Sequence, residues 1–400
     1  MFPLLEKVRS TSSVAANCPP PSDNTVLPGN ILIHHSRDTA EKQWAETCVL
    51  TLAGVARVFS TRAHILKKLD EYPRAWALLL EIIESNALSQ NSEVALNSLK
   101  SFQEIVDDMG SPTSSKTANT KSSGKDSSSA KKAGTVTNIN FVSDITESEL
   151  DLWANAWRIW QNIGTQSMVN EHFLRPSTAS KDANSKPDAK RAVYPSQPYL
   201  TALINIFPPL YSRVFTRFGI GDLQRFCGIL TRAVSMPLHS DTSPFLLPTF
   251  HQQETVLSPL QQSVLNSVGV LQQPVPALDG KNILEHNAQQ PMYPTLFGML
   301  LSFVEFACCP PKVNTAPEGG AEHTAFSNVR GRAGEWVVMN YVPLAESSMN
   351  MIQDLYAKSH AKESVVEQNV LENIIKVSIL NSSLLSSFCT ATYSLIGEPK

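Results

Sequence analysis

Three apolar stripes at helical spacing, one after another between residues 41 and 109, leave few folds open to this chain. In the first, Trp44, Cys48, Leu52, Val55 and Phe59 recur at steps of three and four, which puts them on one face of a helix. Asp38 with Glu41 is a capping-box-like start, in which each side chain satisfies an orphan backbone N–H. The second opens at Pro73, whose fixed φ and missing N–H suit a first turn. Its stripe is Trp76, Leu79 or Leu80, Ile83 and Ala87. The third runs through Ala95, Leu99, Phe102, Val106 and Met109, and Gly110 ends it. No helix buries its own stripe, and helices joined by short turns pack antiparallel on their neighbours. The expected fold is all-α, a HEAT/armadillo-like α-solenoid with disordered polar linkers.

Bulk composition agrees. Of 400 residues, 42% are hydrophobic, enough for a core, while a net charge of -3 offers no global attraction to nucleic acid or anionic lipid. Val and Ile nowhere alternate with polar residues for long, so a sheet has little support. Cys18, Cys48, Cys227, Cys308, Cys309 and Cys389 make no even framework, which reads as buried thiols in a reducing compartment. The N-terminus MFPLLEKVRSTSS lacks the continuous apolar core of a signal peptide. The apolar run Leu296 to Cys309 contains Glu305 and stops at Pro310, short of the ~20 residues a membrane span needs. The sequence-level expectation is a soluble chain that reaches membranes through partners or surface contact.

The pattern divides the chain into segments. Residues 1–37 are expected to be a disordered entry, broken by Pro19, Pro20, Pro21, Pro28 and Gly29. A helical repeat block fills 38–109. A low-complexity linker spans 110–146; its stretch 111–137 holds eight Ser, five Thr and five Lys against one Asp, too little apolar surface to offset ordering entropy. A helical repeat covers 147–174, a polar loop 175–194 and a second repeat block 195–380. Within these, Leu150, Trp153, Trp157, Trp160 and Ile163 form a stripe whose spacing is that of core packing rather than of a ligand cage. Pro208 and Pro209 are expected to kink or break the pattern of 195–218. Helices are expected over 221–235, over 252–272 with Val256 on the apolar face or from a true first turn at Pro259, and over 293–308. One or two are expected over 334–359, bent or split at Pro343, and a last one over 362–380. The tail 381–400 has no clear polar capping unit, as in a piece cut from a longer solenoid.

Catalytic signatures are missing from the sequence. It has no GxSxG, no HExxH and no phosphate loop ending in GK[ST]. Gly219 and Gly221 give GxG, but Gln224 stands where the dinucleotide fingerprint needs its third glycine. His239, Ser240 and Asp241 are triad residue types, yet as sequence neighbours in a proline-rich connector they read as a turn. His34 and His35 lack a second pair at zinc spacing. Cys308 and Cys309 are adjacent, not CxxC. Glu305 is expected at a helix edge, reaching water. Basic residues line no helix face, as phosphate neutralisation would require. No catalytic, cofactor-binding or metal residue is assigned, no cofactor is called for, and the chain is expected not to be an enzyme. What remains is the usual work of a solenoid, a long surface that holds other proteins.

Longer stretches carry a specific likeness. IHHSRDTAEKQWAETCVLTLAGVARVF (33–59), ALSQNSEVALNSLKSFQEIV (87–106), DLWANAWRIWQNIGTQS, PSQPYLTALINIFPPLY, SPFLLPTF, MYPTLFGMLLSFVEFACCPP and EWVVMNYVPLAE together resemble the Mon-two (monensin-sensitivity) family, collinearly over residues 30–376. These are large HEAT-repeat-like proteins of the trans-Golgi network and endosomes. They are related to the BIG and GBF groups of large Arf exchange factors but lack the catalytic exchange domain. The resemblance implies a fragment of the C-terminal half of such a protein, without the N-terminal regions that dimerise and regulate. It implies a non-enzymatic scaffold in endosome-to-Golgi retrieval and vesicle-mediated protein transport. Such a scaffold associates peripherally with the cytoplasmic face of the trans-Golgi network and early endosomes, or stays in the cytosol. The implied partners are a Dopey-family protein, a phospholipid flippase and small Arf-like GTPases. Two alternatives stand beside it: a guanine-nucleotide exchange regulator of Arf-like GTPases, and a generic helical-repeat adaptor.

Overall fold

The computed structural model describes residues 40–108, 145–168, 194–239, 256–287, 292–311 and 336–360, together with Lys7 and Phe141. Several sequence expectations fall outside these residues: the entry segment, the Ser/Thr/Lys linker, the polar loop after residue 174, the connector from Ser240, the loop 312–330, the helix over 362–380 and the tail. The fold is all-α. Its helices are α1 (Ala40–Thr61), α2 (Ala63–Leu66), α3 (Tyr72–Ala87), α4 (Ser92–Asp108), α5 (Glu147–Gln166), α6 (Gln197–Asn205), α7 (Phe207–Val214), α8 (Ile220–Ser235), α9 (Pro259–Leu271), α10 (Ile283–His286), α11 (Met292–Cys308) and α12 (Val342–His360). A two-residue antiparallel ladder pairs β1 (Leu238–His239) with β2 (Trp336–Val337), Leu238 opposite Val337. The chain divides into two compact units. One comprises Met1–Ala133, Asp144–Ile163 and Asn205–Arg213, and the other Gly134–Ser143, Gly164–Ile204 and Val214–Lys400.

In the first unit, α1, α3 and α4 run up, down and up. Asn86 at the end of α3 donates from Nδ2 to Cys48 Sγ near the start of α1 at 3.5 Å, while Phe59 at the end of α1 stacks on Tyr72 at the start of α3. Those two helices are therefore antiparallel. The broad partner of α1 is nevertheless α4, not α3, the next long helix in sequence. The reason lies in the connections. Between α1 and α3 stand α2 and a turn through Leu69, whereas α3 reaches α4 in a tight turn that Asn91 closes by accepting from the N–H groups of Glu93 and Val94. Ala45 and Cys48 of α1 meet Val94 of α4 in the core. An aromatic seam continues the packing. Trp76 lies edge-on to Trp153, Trp157 stacks on Trp160 at 5.0 Å, and both of these rings meet Phe207.

The proline pair acts one step earlier than expected. The break falls at Ile206, between α6 and α7, and Pro208 and Pro209 occupy the first turn of α7, where missing N–H groups cost nothing.

In the second unit, α11 packs against α8 and α12, and α9 touches both α8 and α12. The Gly219 N–H donates to Asp222 Oδ2 at 3.1 Å and fixes the start of α8. For α9 the start at 252 is too early, and the first turn is at Pro259, the alternative start that this proline marks. Ser258 is the N-cap, accepting from the Gln261 N–H at 3.2 Å while its own N–H donates to Gln261 Oε1 at 3.0 Å. Val256 therefore precedes the helix and is 66% exposed rather than part of the apolar face. The 334–359 pattern is also corrected. Trp336 and Val337 are extended against β1, Asn340 Oδ1 accepts from the Val342 N–H, and one helix follows with Pro343 in its first turn rather than at a bend. Tyr341 ties this corner to α8 by donating to the Val234 carbonyl at 2.8 Å.

Candidate interaction surface

Helix α1 has two faces. Cys48, Leu52, Val55 and Phe59 are buried, as their spacing predicts, with Ala45 and Ala56 buried beside them, while Trp44 is only half-buried against that core. On the opposite side, Gln43, Thr47, Leu50, Thr51, Gly54, Val58 and Thr61 share a face, each three or four residues from another of the set, with no charge among them. Leu50 is 73% exposed. The hydroxyls of Thr47, Thr51 and Thr61 donate back to the carbonyls of Gln43, Thr47 and Arg57 at 2.7, 2.7 and 2.6 Å. Those bonds satisfy the polar atoms locally and leave the face to methyl groups. A Cβ placed on Gly54 would meet nothing within 4 Å, so the backbone there is open to close approach. Lys42, Glu46, Arg57 and Arg62 flank the strip. Past its end, Ile65 and Leu69 are also exposed. The sequence reading credited α1 with a single stripe and missed this one. Its signal was the absence of charge at every third or fourth position from Gln43 to Thr61.

A charged corner lies on the same unit. Lys67 Nζ bonds Glu149 Oε1 at 2.6 Å, and both side chains are about one-third exposed. Arg213, 7% exposed, holds its guanidinium carbon 5.3 Å from the centroid of the Trp153 ring. Burial lowers the proton affinity of Arg213, and the charge of Glu149 works the other way. Desolvation pulls the Glu149 carboxyl upward, but the Lys67 hydrogen bond and charge, the Thr146 backbone bond and the Arg213 charge outweigh it and hold the group below its usual range. Burial, then the Glu149 charge, pushes the neighbouring Tyr72 phenol up to about 12. A carboxyl whose folded pKa is depressed contributes stability above its unfolded value, roughly 4.3, and loses that contribution as pH falls through the folded value. Lys67→Met is accordingly expected to shrink the acid-side fall in stability. Urea midpoints between neutral pH and pH 3 test this; a pH profile parallel to that of the parent chain would exclude the pair as a source of the acid sensitivity.

The other residues singled out from the sequence do not converge. Trp153, Trp157 and Trp160 are core. Glu305 is exposed on α11, and His239 sits in β1, while Ser240, Asp241, His34 and His35 lie outside the described residues. Among the described residues, no three His, Cys, Asp or Glu side chains are placed to hold a metal ion, and no helix is long and apolar enough to cross a membrane.

The thiols divide. Cys48 and Cys227 are buried, as expected, whereas Cys308 is half-buried and Cys309, just past the end of α11, is exposed. Burial pushes the Cys227 thiol up to about 12, so its thiolate fraction near pH 8 is of order 10⁻⁴. Alkylation of the native chain at pH 8 is expected to modify Cys309 well before Cys227. Peptide mapping that found the two labelled at equal rates would contradict the burial of α8.

Sequence comparison adds to this geometry. The family described as the C-terminal region of Mon2 protein matches residues 1–395, beyond the 30–376 over which the resemblance was traced. The chain is 41% identical over 401 residues to the Protein MON2 homolog of Homo sapiens and 40% identical over 403 residues to that of Xenopus laevis, each alignment covering 94% of this chain and 22% of the relative. The Protein MON2 homolog of Drosophila melanogaster is 36% identical over 376 residues, covering 94% of this chain and 20% of the relative. The chain thus spans about a fifth of the length of the curated relatives it matches. No solved structure matches it.

Proposed function

Because the chain belongs to the Mon2 family, whose C-terminal region it matches, we propose that it is a non-enzymatic scaffold segment in vesicle traffic between endosomes and the Golgi. The observation that carries this reading is the uncharged outer face of α1, with Leu50 73% exposed at its centre. An exposed apolar strip with satisfied hydroxyls and charges only along its edges has the make-up of a protein-binding core with a polar rim. In this reading the helices of each unit are parts of HEAT/armadillo-like repeats, and the scaffold works by geometry. Holding a Dopey-family protein, a phospholipid flippase and a small Arf-like GTPase on one surface raises their effective concentration at the trans-Golgi and endosomal membrane, with no bond made or broken.

The test is affinity capture of the tagged chain from cells, side by side with Leu50→Asp. Leu50 is exposed, so the substitution is expected to leave stability within about 0.5 kcal/mol. A charge at the centre of a desolvated interface is expected to weaken capture of a Dopey-family protein, flippase or Arf-like GTPase about tenfold or more. Equal capture by the parent and Leu50→Asp would remove this face from the scaffold. Acceleration of nucleotide release from an Arf-like GTPase by the purified chain would overturn the non-enzymatic reading.

A further inference from the structure

The turn that carries the chain from α1 through α2 to α3 projects from the first unit. Between Thr61 and Glu71, Ala63 and Leu66 are half-buried and every other residue is exposed. Ile65 is 49% exposed and Leu69 56%, which puts two large aliphatic side chains on a projecting tip rather than in a groove. The tip is nonetheless a built structure. The Lys68 N–H donates to the Ile65 carbonyl at 3.1 Å, the Leu69 N–H to the Leu66 carbonyl at 3.0 Å and the Tyr72 N–H to the Leu69 carbonyl at 3.0 Å. Those backbone groups are engaged before anything docks, and buried Tyr72 anchors the far end.

The cations that line no helix face gather on this turn. Residues 57–74 hold five basic side chains against two acidic ones, in a chain whose net charge is -3. Lys67 is held by Glu149 at 2.6 Å, and Arg74 lies 3.7 Å from Glu71. Arg57, Arg62 and Lys68, all exposed, then stand against Asp70 alone. A surface that is negative outside and apolar just beneath complements both features, and an anionic bilayer is such a surface. A protein partner gains little from two side chains on a convex tip, since a stable interface buries about 800 Å² on each side. A bilayer takes in the same tip without a complementary shape.

We propose that this turn is a contact for anionic phospholipid membrane, with Ile65 and Leu69 inserted to the boundary of headgroups and acyl chains and Arg57, Arg62 and Lys68 among the lipid phosphates. The rest of the chain is net negative and is repelled by such a surface, so the contact also orients the molecule on it. Two apolar side chains or three cations alone hold weakly, and the two together give reversible attachment. The inference goes beyond the scaffold reading, in which bound proteins link the chain to the membrane, and it lies off the strip that carries that reading.

Vesicle flotation of the full chain tests it, with vesicles of phosphatidylcholine beside vesicles that also contain phosphatidylserine. The anionic vesicles are expected to recover the chain at least about tenfold better, by an advantage that shrinks as salt is raised. Ile65→Asp combined with Leu69→Asp, and separately Arg62→Glu combined with Lys68→Glu, are each expected to lower that recovery about tenfold or more. All four side chains are exposed, so near-ultraviolet circular dichroism of both variants is expected to match the parent. Leu50→Asp is expected to float as the parent does. No preference for anionic vesicles, or unchanged recovery of either double variant, would overturn the proposal. So would a parent chain that binds neither vesicle while the Ile65→Asp, Leu69→Asp variant loses a captured protein, the result of a protein contact at the same tip. None of these outcomes touches the scaffold reading, whose own test is protein capture by Leu50→Asp.

Discussion

Trp76→Ala is expected to destabilise the first unit by about 3–5 kcal/mol, the range for removing a large buried aromatic from a core that only partly relaxes. The side chain is 1% exposed. Its ring lies 5.6 Å from Trp153 and 6.4 Å from both Phe59 and Tyr72, centroid to centroid. Its Nε1–H donates to the Leu152 carbonyl at 2.9 Å, which joins α3 to α5 across 76 residues of sequence. Alanine would leave a void facing three aromatic rings, none of which can move in without leaving its own contacts. Trp76→Phe separates the parts: it keeps most of the apolar volume and loses the donor, and is expected to cost about 1–3 kcal/mol. Urea denaturation followed by near-ultraviolet circular dichroism measures both. A loss below about 1 kcal/mol for the alanine variant would show that the seam does not hold the unit together.

The seam shows how far the sequence could be read. Cys48, Leu52, Val55 and Phe59, then Trp76, Leu79, Leu80, Ile83 and Ala87, then Leu99, Phe102 and Val106 were placed on core faces by spacing alone, and all are buried. A single-face rule succeeds where every third or fourth residue is large and apolar. It fails where the second face is built from Thr and Gly, which count as polar or neutral until the threonine hydroxyls are seen to bond backward to the helix. It fails also where distant residues decide a boundary. β2 is extended because β1 lies beside it, and Gln261, besides completing the capping box with Ser258, donates from Nε2 to the Asn340 carbonyl at 2.7 Å, a contact across 79 residues that spacing does not show. Arg213 was unremarkable as a residue near the end of a short helix. Only the position of Trp153 makes it a buried cation stacked on an indole.

A second large effect follows from another non-local contact. Gly164→Ala is expected to destabilise the second unit by about 1–3 kcal/mol, although Gly→Ala within a helix ordinarily stabilises by about 0.5–1 kcal/mol. The sign turns on Ile229 of α8. A Cβ at position 164 would lie 2.8 Å from its Cδ1 and 3.1 Å from both its Cγ1 and Cγ2. Swinging Cδ1 away would relieve one contact, but Cγ1 and Cγ2 are fixed by the β-branched rotamer and by the burial of Ile229, so α8 itself would have to shift. Gly228, one residue earlier on α8, provides the control: its Cβ would meet nothing within 4 Å, and Gly228→Ala is expected to raise stability. Ile229→Ala removes Cδ1, Cγ1 and Cγ2 together. Alone it opens a cavity and costs about 2–5 kcal/mol, but combined with Gly164→Ala it leaves room for the new methyl. The double variant is therefore expected to be more stable than the sum of the two losses predicts, with a coupling of about 0.5–3 kcal/mol. Additive losses in that cycle would mean that α5 and α8 do not meet at Gly164. Strong coupling would identify this glycine as the residue that sets how closely the last turn of α5 approaches α8.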